Sequence, residues 1–194
     1  MKRPIDVFYF MKYLLLYSKI KDKNYNYWTY KTWQQKVLWF SDYTFLKQNK
    51  TRFFDSSFLA YFFGPIEFDI LNFQYLNDNK VWYTTKENAW NYVFWDPQQN
   101  MNVYYKKSSI KLIEELKEEF LKEFNNDQER WDHFTKIADL CFKFRPYSLT
   151  EISHKHQSWK NAEKEKREIT TQEMIDDTFD PIEDLKQTPN YESE

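Results

Sequence analysis

The chain has one glycine among 194 residues. Glycine-rich phosphate loops are therefore excluded, because their backbone cannot cradle a phosphate without several such positions. A turn-rich β-barrel is excluded on the same ground, since tight hairpins draw on glycine. There is one cysteine, Cys141, so no internal disulfide can form. That usage fits a reducing compartment, and the cytoplasm is the expected location. No run reaches the roughly 18–20 apolar residues of a membrane span. Asp6 and Lys12 break the N-terminal apolar stretch, and no small-residue cleavage site follows it, so a signal peptide is not expected.

Spacings for chemistry are also missing. His154 and His156 stand two apart and cannot share a helix face, and there is no CxxC or HExxH pair. No metal and no cofactor are expected. Cys141 falls on the apolar face of an expected helix, where a thiol is buried and inert rather than nucleophilic. Glu114, Glu115, Glu118 and Glu119 form a solvated helix face, not an isolated acid/base pair. Nothing here points to an enzyme.

What the chain does have is aromatic mass: 18 Phe, 15 Tyr and 8 Trp, 21% of all residues. Such side chains dominate core and interface area. The net charge of −2 is uneven. Thr171–Glu194 holds eight acids and the single base Lys186, a local −7 that leaves +5 for the rest. Aromatics interleave with lysines in Lys19–Tyr30 and Tyr104–Lys107, a pattern that can stack bases. A surplus of +5 is small for a nucleic-acid-binding domain, so nucleic acid is not the expected partner.

Hydrophobic periodicity sets out the elements. Ile5–Ile20 reads as an amphipathic helix with Pro4 in its first turn. Thr32 is placed to cap a second helix running to about Leu46, with Trp33, Val37, Phe40 and Thr44 as its stripe. Ser56 and Ser57 offer a cap before Leu59–Phe63, and Gly64-Pro65 breaks the chain ahead of a helix over Ile66–Leu76. A short hairpin is expected at about 80–106. Ser109–Phe124 is the clearest helix, with Ile113, Leu116, Phe120 and Phe124 on one face. Asp127 opens the next, which turns Trp131, Phe134, Ile137, Ala138 and Cys141 inward. After Pro146, Ser148 and Glu151 have capping-box spacing, as do Thr170 and Glu173. The result is a mainly α, compact multi-helix single domain over residues 1–180 with a small β-hairpin insert. Residues 181–194 are expected to be an acidic, flexible tail.

Three ordered blocks carry a family resemblance. Ser153, His154, Trp159 and Ala162, preceded by Leu149 and followed by Ile169, Thr170 and Met174, match an [ST]-H-x-x-x-x-W-x-x-A signature and the helix start after it. Gln35-Lys36-Val37-Leu38-Trp39-Phe40 matches an L-Q-K-L-L-Y-F helix. Phe54, Ala60 and Gly64-Pro65-Ile66 match an F-x-x-x-x-x-A-x-x-x-G-P-[VI] block. Together they resemble the Panacea (SocA-like) antitoxin domain. Ser153 stands where the family usually has Thr, and the stretch Asn77–Lys107 is insert-like.

The resemblance implies a bacterial or phage-associated antitoxin that neutralises a co-encoded small toxin by direct protein binding. It also implies, for some relatives, an adaptor role with a protease or chaperone as a further partner. The alternative class is a nucleic-acid-binding, autoregulatory protein. Candidate partner-binding residues are Phe63, Gly64, Pro65, Ile66, His154 and Trp159, with Phe63 and Ile66 as exposed anchors. His154 is read either as a strut under a surface or as a contact. The Gly64-Pro65 joint and the His154–Trp159 segment are expected to lie side by side.

Overall fold

A computed structural model describes residues 3–21, 30–76 and 109–187. Its centre is a helix buried on all sides. Helix α2 (Lys31–Asn49) has every residue from Trp33 to Leu46 buried, not only a stripe. A helix apolar or satisfied all round belongs in the middle of a bundle, sheathed by other elements. Its N-cap is Tyr30, with no side-chain bond, so Thr32 lies inside the helix instead of capping it. It ends on Lys50 in the left-handed region, whose N–H returns to the Leu46 carbonyl.

Helix α1 (Val7–Lys21) starts later than its periodicity suggests, because Asp6 caps it through Phe8 N–H at 2.9 Å. Pro4 lies outside it, and Ile5 forms a parallel bridge to Phe54. Helices α4 (Ser109–Glu123) and α5 (Gln128–Cys141) pack beside α1 and α2. Here the aromatic excess is spent. Phe10 meets Phe53, Phe54 and Phe134 with centroids 4.9–5.3 Å apart, and Tyr13 meets Phe120 at 5.2 Å. Edge-on contacts of this kind add to burial. Tyr13 and Tyr17 donate to Glu123 at 2.5 Å and Asp139 at 2.8 Å. Asp127 caps α5 as expected, and Trp131, Phe134, Ile137, Ala138 and Cys141 are all buried. Burial pushes the Cys141 thiol far up, which keeps it protonated.

The chain between α2 and α4 departs from the expected helices. Phe58–Tyr61 is strand β1 and Gly64–Glu67 is strand β2, paired antiparallel with Tyr61 opposite Gly64. Phe62 and Phe63 form the connecting turn. Both keep negative φ while Gly64 takes φ +88°, the geometry of a turn closed by a left-handed residue. Helix α3 (Phe68–Leu76) follows directly. The hairpin expected at 80–106 lies outside the described residues.

Helix α6 (Pro146–Ser153) begins at Pro146, so Ser148 and Glu151 sit within it and form no capping box. Helix α7 (Gln157–Glu165) leads into β3 (Glu168–Ile169), which pairs with the far side of β1. The three-stranded order is β2-β1-β3. Helix α8 (Thr171–Asp176) opens with the full Thr170/Glu173 capping box. Its Glu173 also takes two bonds from Arg167, which hold that carboxyl down at about 2. The expected flexible tail is corrected at its start. Pro181–Lys186 is helix α9, with Pro181, Ile182 and Leu185 buried. Mainly helical architecture around a small sheet is therefore the observed class, with nine helices among the described residues.

Candidate functional site

The β1–β2 hairpin is held from beneath by α2. Gln35 presents its side-chain amide to Glu67 like a strand neighbour: Oε1 accepts from Glu67 N–H at 2.7 Å, and Nε2 donates to Glu67 C=O at 3.2 Å. That closes the outer edge of β2, where unpaired backbone groups would otherwise be costly. Lys36, fully buried, donates from Nζ to the Pro65 carbonyl at 3.0 Å. Burial lowers its pKa to about 7. Glu67 is also buried and takes Ile70 N–H at 2.6 Å, capping α3; burial raises its pKa to about 7.

Gly64 is where the blocks meet. A Cβ there would stand 2.3 Å from Ser153 Oγ and 2.8 Å from Lys36 Nζ. The Gly64-Pro65 segment thus lies directly against the end of α6. Trp159, in the first turn of α7, donates from Nε1 to the Tyr61 carbonyl at 3.1 Å. His154, the C-cap of α6, stacks on Trp159 with centroids 4.0 Å apart and planes 9° apart. The His154 pKa falls below its ordinary value, first through burial and then through Lys36. Gln35, Lys36, Gly64, Pro65, Ser153, His154 and Trp159 are therefore one assembly, drawn from three separated stretches of sequence.

The candidate residues divide by exposure. Phe63 is 53% exposed, beside Phe62 at 73% and Tyr61 at 52%. Gly64 and Pro65 are buried, so they shape the turn and touch no solvent. Ile66, expected as an exposed anchor, is corrected to core: it is 4% exposed. All four residues of β2 are buried, because α2, α3 and α6 pack against the strand. Phe62, in the two-residue turn, and Tyr61, at the end of β1 beside it, are exposed aromatics that the sequence reading did not single out. His154 and Trp159 are part-exposed.

A second assembly was not legible at all. His156 is fully buried among Trp39, Phe40, Tyr43 and Phe179, with Nδ1 3.6 Å from Asp177 Oδ2. Asp177 accepts from Ser158 N–H and Oγ at 2.8 Å each, which caps α7 from across the fold. It also accepts from Phe179 N–H at 3.0 Å. Burial opposes its ionisation, but the neighbouring His156 imidazole and the bonds from Ser158 and Phe179 overcome that and hold the carboxyl far below the usual range. Burial in turn keeps His156 neutral. Four aromatic rings and Asp177 enclose the imidazole, which gives this assembly a structural place in the fold.

Among the described residues no three His, Cys, Asp or Glu side chains gather as a metal site, and no helix is long and apolar enough to cross a membrane. No curated protein and no solved structure matches the chain. A family model described as "Antitoxin SocA-like, Panacea domain" matches residues 35–160. That span begins at the Gln35–Lys36 clamp and ends just past Trp159, so it contains the whole hairpin assembly. With about two thirds of its length covered, the chain belongs to the antitoxin SocA-like, Panacea domain family.

Proposed function

We propose that this protein is a non-enzymatic antitoxin that neutralises a toxin encoded beside it by direct contact at the β1–β2 hairpin tip. The observation that carries the reading is Tyr61-Phe62-Phe63: three adjacent exposed aromatics on a backbone pinned by Lys36, Gln35 and Trp159. Exposed rings on a rigid support bind with little loss of conformational freedom. Phe68, 46% exposed just after β2, extends the same apolar character. Family membership supplies the toxin as the class of partner.

The test is rescue of growth from the adjacent toxin frame. The Phe62→Ser/Phe63→Ser double variant is expected to keep a melting temperature close to wild type, because both residues are more than half exposed. It should lose rescue, with binding weaker by about 2 kcal/mol or more. Rescue at the wild-type level would place the contact elsewhere. Toxin that disappears from cells in step with expression of this chain would add the protease-adaptor role. Salt-sensitive binding to operator DNA without toxin binding would favour the regulator instead.

A further inference from the structure

The exposed rings adjoin a second feature of different chemistry. The His154–Trp159 stack lies beside the turn: its imidazole abuts the Phe62 backbone, and its indole is tied to Tyr61. Two carboxylates flank the stack. Glu151 is exposed on α6, three residues before His154, and Glu163 is on α7, four residues after Trp159. Those spacings put each acid on the same helix face as its ring. Both acids act electrostatically on His154.

Two of the nearby cations are committed elsewhere. Lys36 also acts on His154, but its ammonium is buried and donated to Pro65. Lys155 is ion-paired with Asp184. Lys160 is exposed on α7 and is not among the groups that act on His154. His154 itself is neutral at neutral pH, because burial and Lys36 lower its pKa. The part-exposed stack is thus aromatic and has two carboxylates acting on its imidazole. Ring faces attract a cation through their quadrupole, and a planar guanidinium can stack and fork to carboxylates at once.

We infer that the toxin segment docking on this tip presents an arginine, seated against the His154–Trp159 stack between Glu151 and Glu163, with apolar neighbours on Phe62 and Phe63. The inference rests on the reading of the tip as the toxin contact. Charge complementarity chooses this occupant: an anionic partner such as nucleic acid would meet both carboxylates with no free cation among the groups acting on the ring.

Two measurements separate the inference from the reading beneath it. In the first, acetyl-Phe-Arg-Leu-amide and its citrulline counterpart are titrated into the full chain, following the Trp159 indole N–H by NMR. The arginine peptide should shift that resonance and the citrulline peptide should not; equal responses overturn the inference. In the second, the toxin is titrated into wild type, Glu151→Gln/Glu163→Gln and Phe62→Ser/Phe63→Ser. The glutamine pair should weaken binding at least tenfold and flatten its salt dependence. Unchanged affinity in the glutamine pair, with loss in the serine pair, overturns the arginine and keeps the tip. Unchanged affinity in the serine pair overturns the tip itself, and the peptide comparison then decides the chemistry of the stack alone.

Discussion

At the scale of single residues, Gly64 is the position with least freedom to change. It adopts φ +88°, and a Cβ would collide with Ser153 Oγ at 2.3 Å. Gly64→Ala therefore combines a left-handed penalty of about 1–2 kcal/mol with overpacking of about 1–3 kcal/mol. Denaturant unfolding should show a loss of about 2–5 kcal/mol, and a loss below 1 kcal/mol would show that the turn relaxes freely. The sequence marks this residue clearly, since it is the chain's one glycine. It does not mark the neighbours that make it necessary. Lys36 and Ser153 stand 28 and 89 positions away in sequence, and no local pattern pairs them.

At the scale of elements, long helices were legible and short strands were not. Ser109–Glu123 and Gln128–Cys141 carry several turns of periodic apolar residues, enough to fix both type and face. Strands β1 and β2 have four residues each, too few for alternation to register, and β3 has two. The second strand also contains Gly64-Pro65, which locally reads as a helix start. Ser148 and Glu151 show the converse error: their spacing is right, but Pro146 already begins the helix. Helix α9 was hidden by charge. Its acids face outward while Ile182 and Leu185 pack inward, a six-residue pattern too short to outweigh the surrounding acidity. Truncation after Asp180 should therefore cost about 2–5 kcal/mol, the burial of two aliphatic side chains less the order regained. A chain ending at Gln187 should match the full length in thermal unfolding. Equal midpoints for the shorter chain would show that α9 contributes nothing to the fold.

At the scale of the whole molecule, the fold accepts ionisable groups in its interior and satisfies them with backbone. Lys36 is the extreme case, because it is fully buried and donates to the Pro65 carbonyl. Its folded pKa of about 7 lies below the ordinary 10.5. Between those values the unfolded chain holds more protons than the native one, so native stability rises with pH across this window. Below about 7 both states are protonated and the full cost of the buried charge is present. Lys36→Met removes the term. Wild type should gain on the variant by a few kcal/mol between about pH 7 and 10, as measured by denaturant midpoints. A constant difference across that range would mean that Lys36 keeps an ordinary pKa in the folded state.

The pairing of β1 with β3 also bears on how the protein is made. The hairpin tip leaves the ribosome early, but its supports come late: Trp159 holds Tyr61, Ile169 pairs with Phe58, and Asp177 caps the helix that carries Trp159. Synthesis must run through residue 177, close to the last described helix, before those contacts can close. A prematurely terminated chain would carry the aromatic turn without the scaffold that aims it. The exposed rings of the turn are therefore aimed only after residues far downstream of them have been made and have folded back.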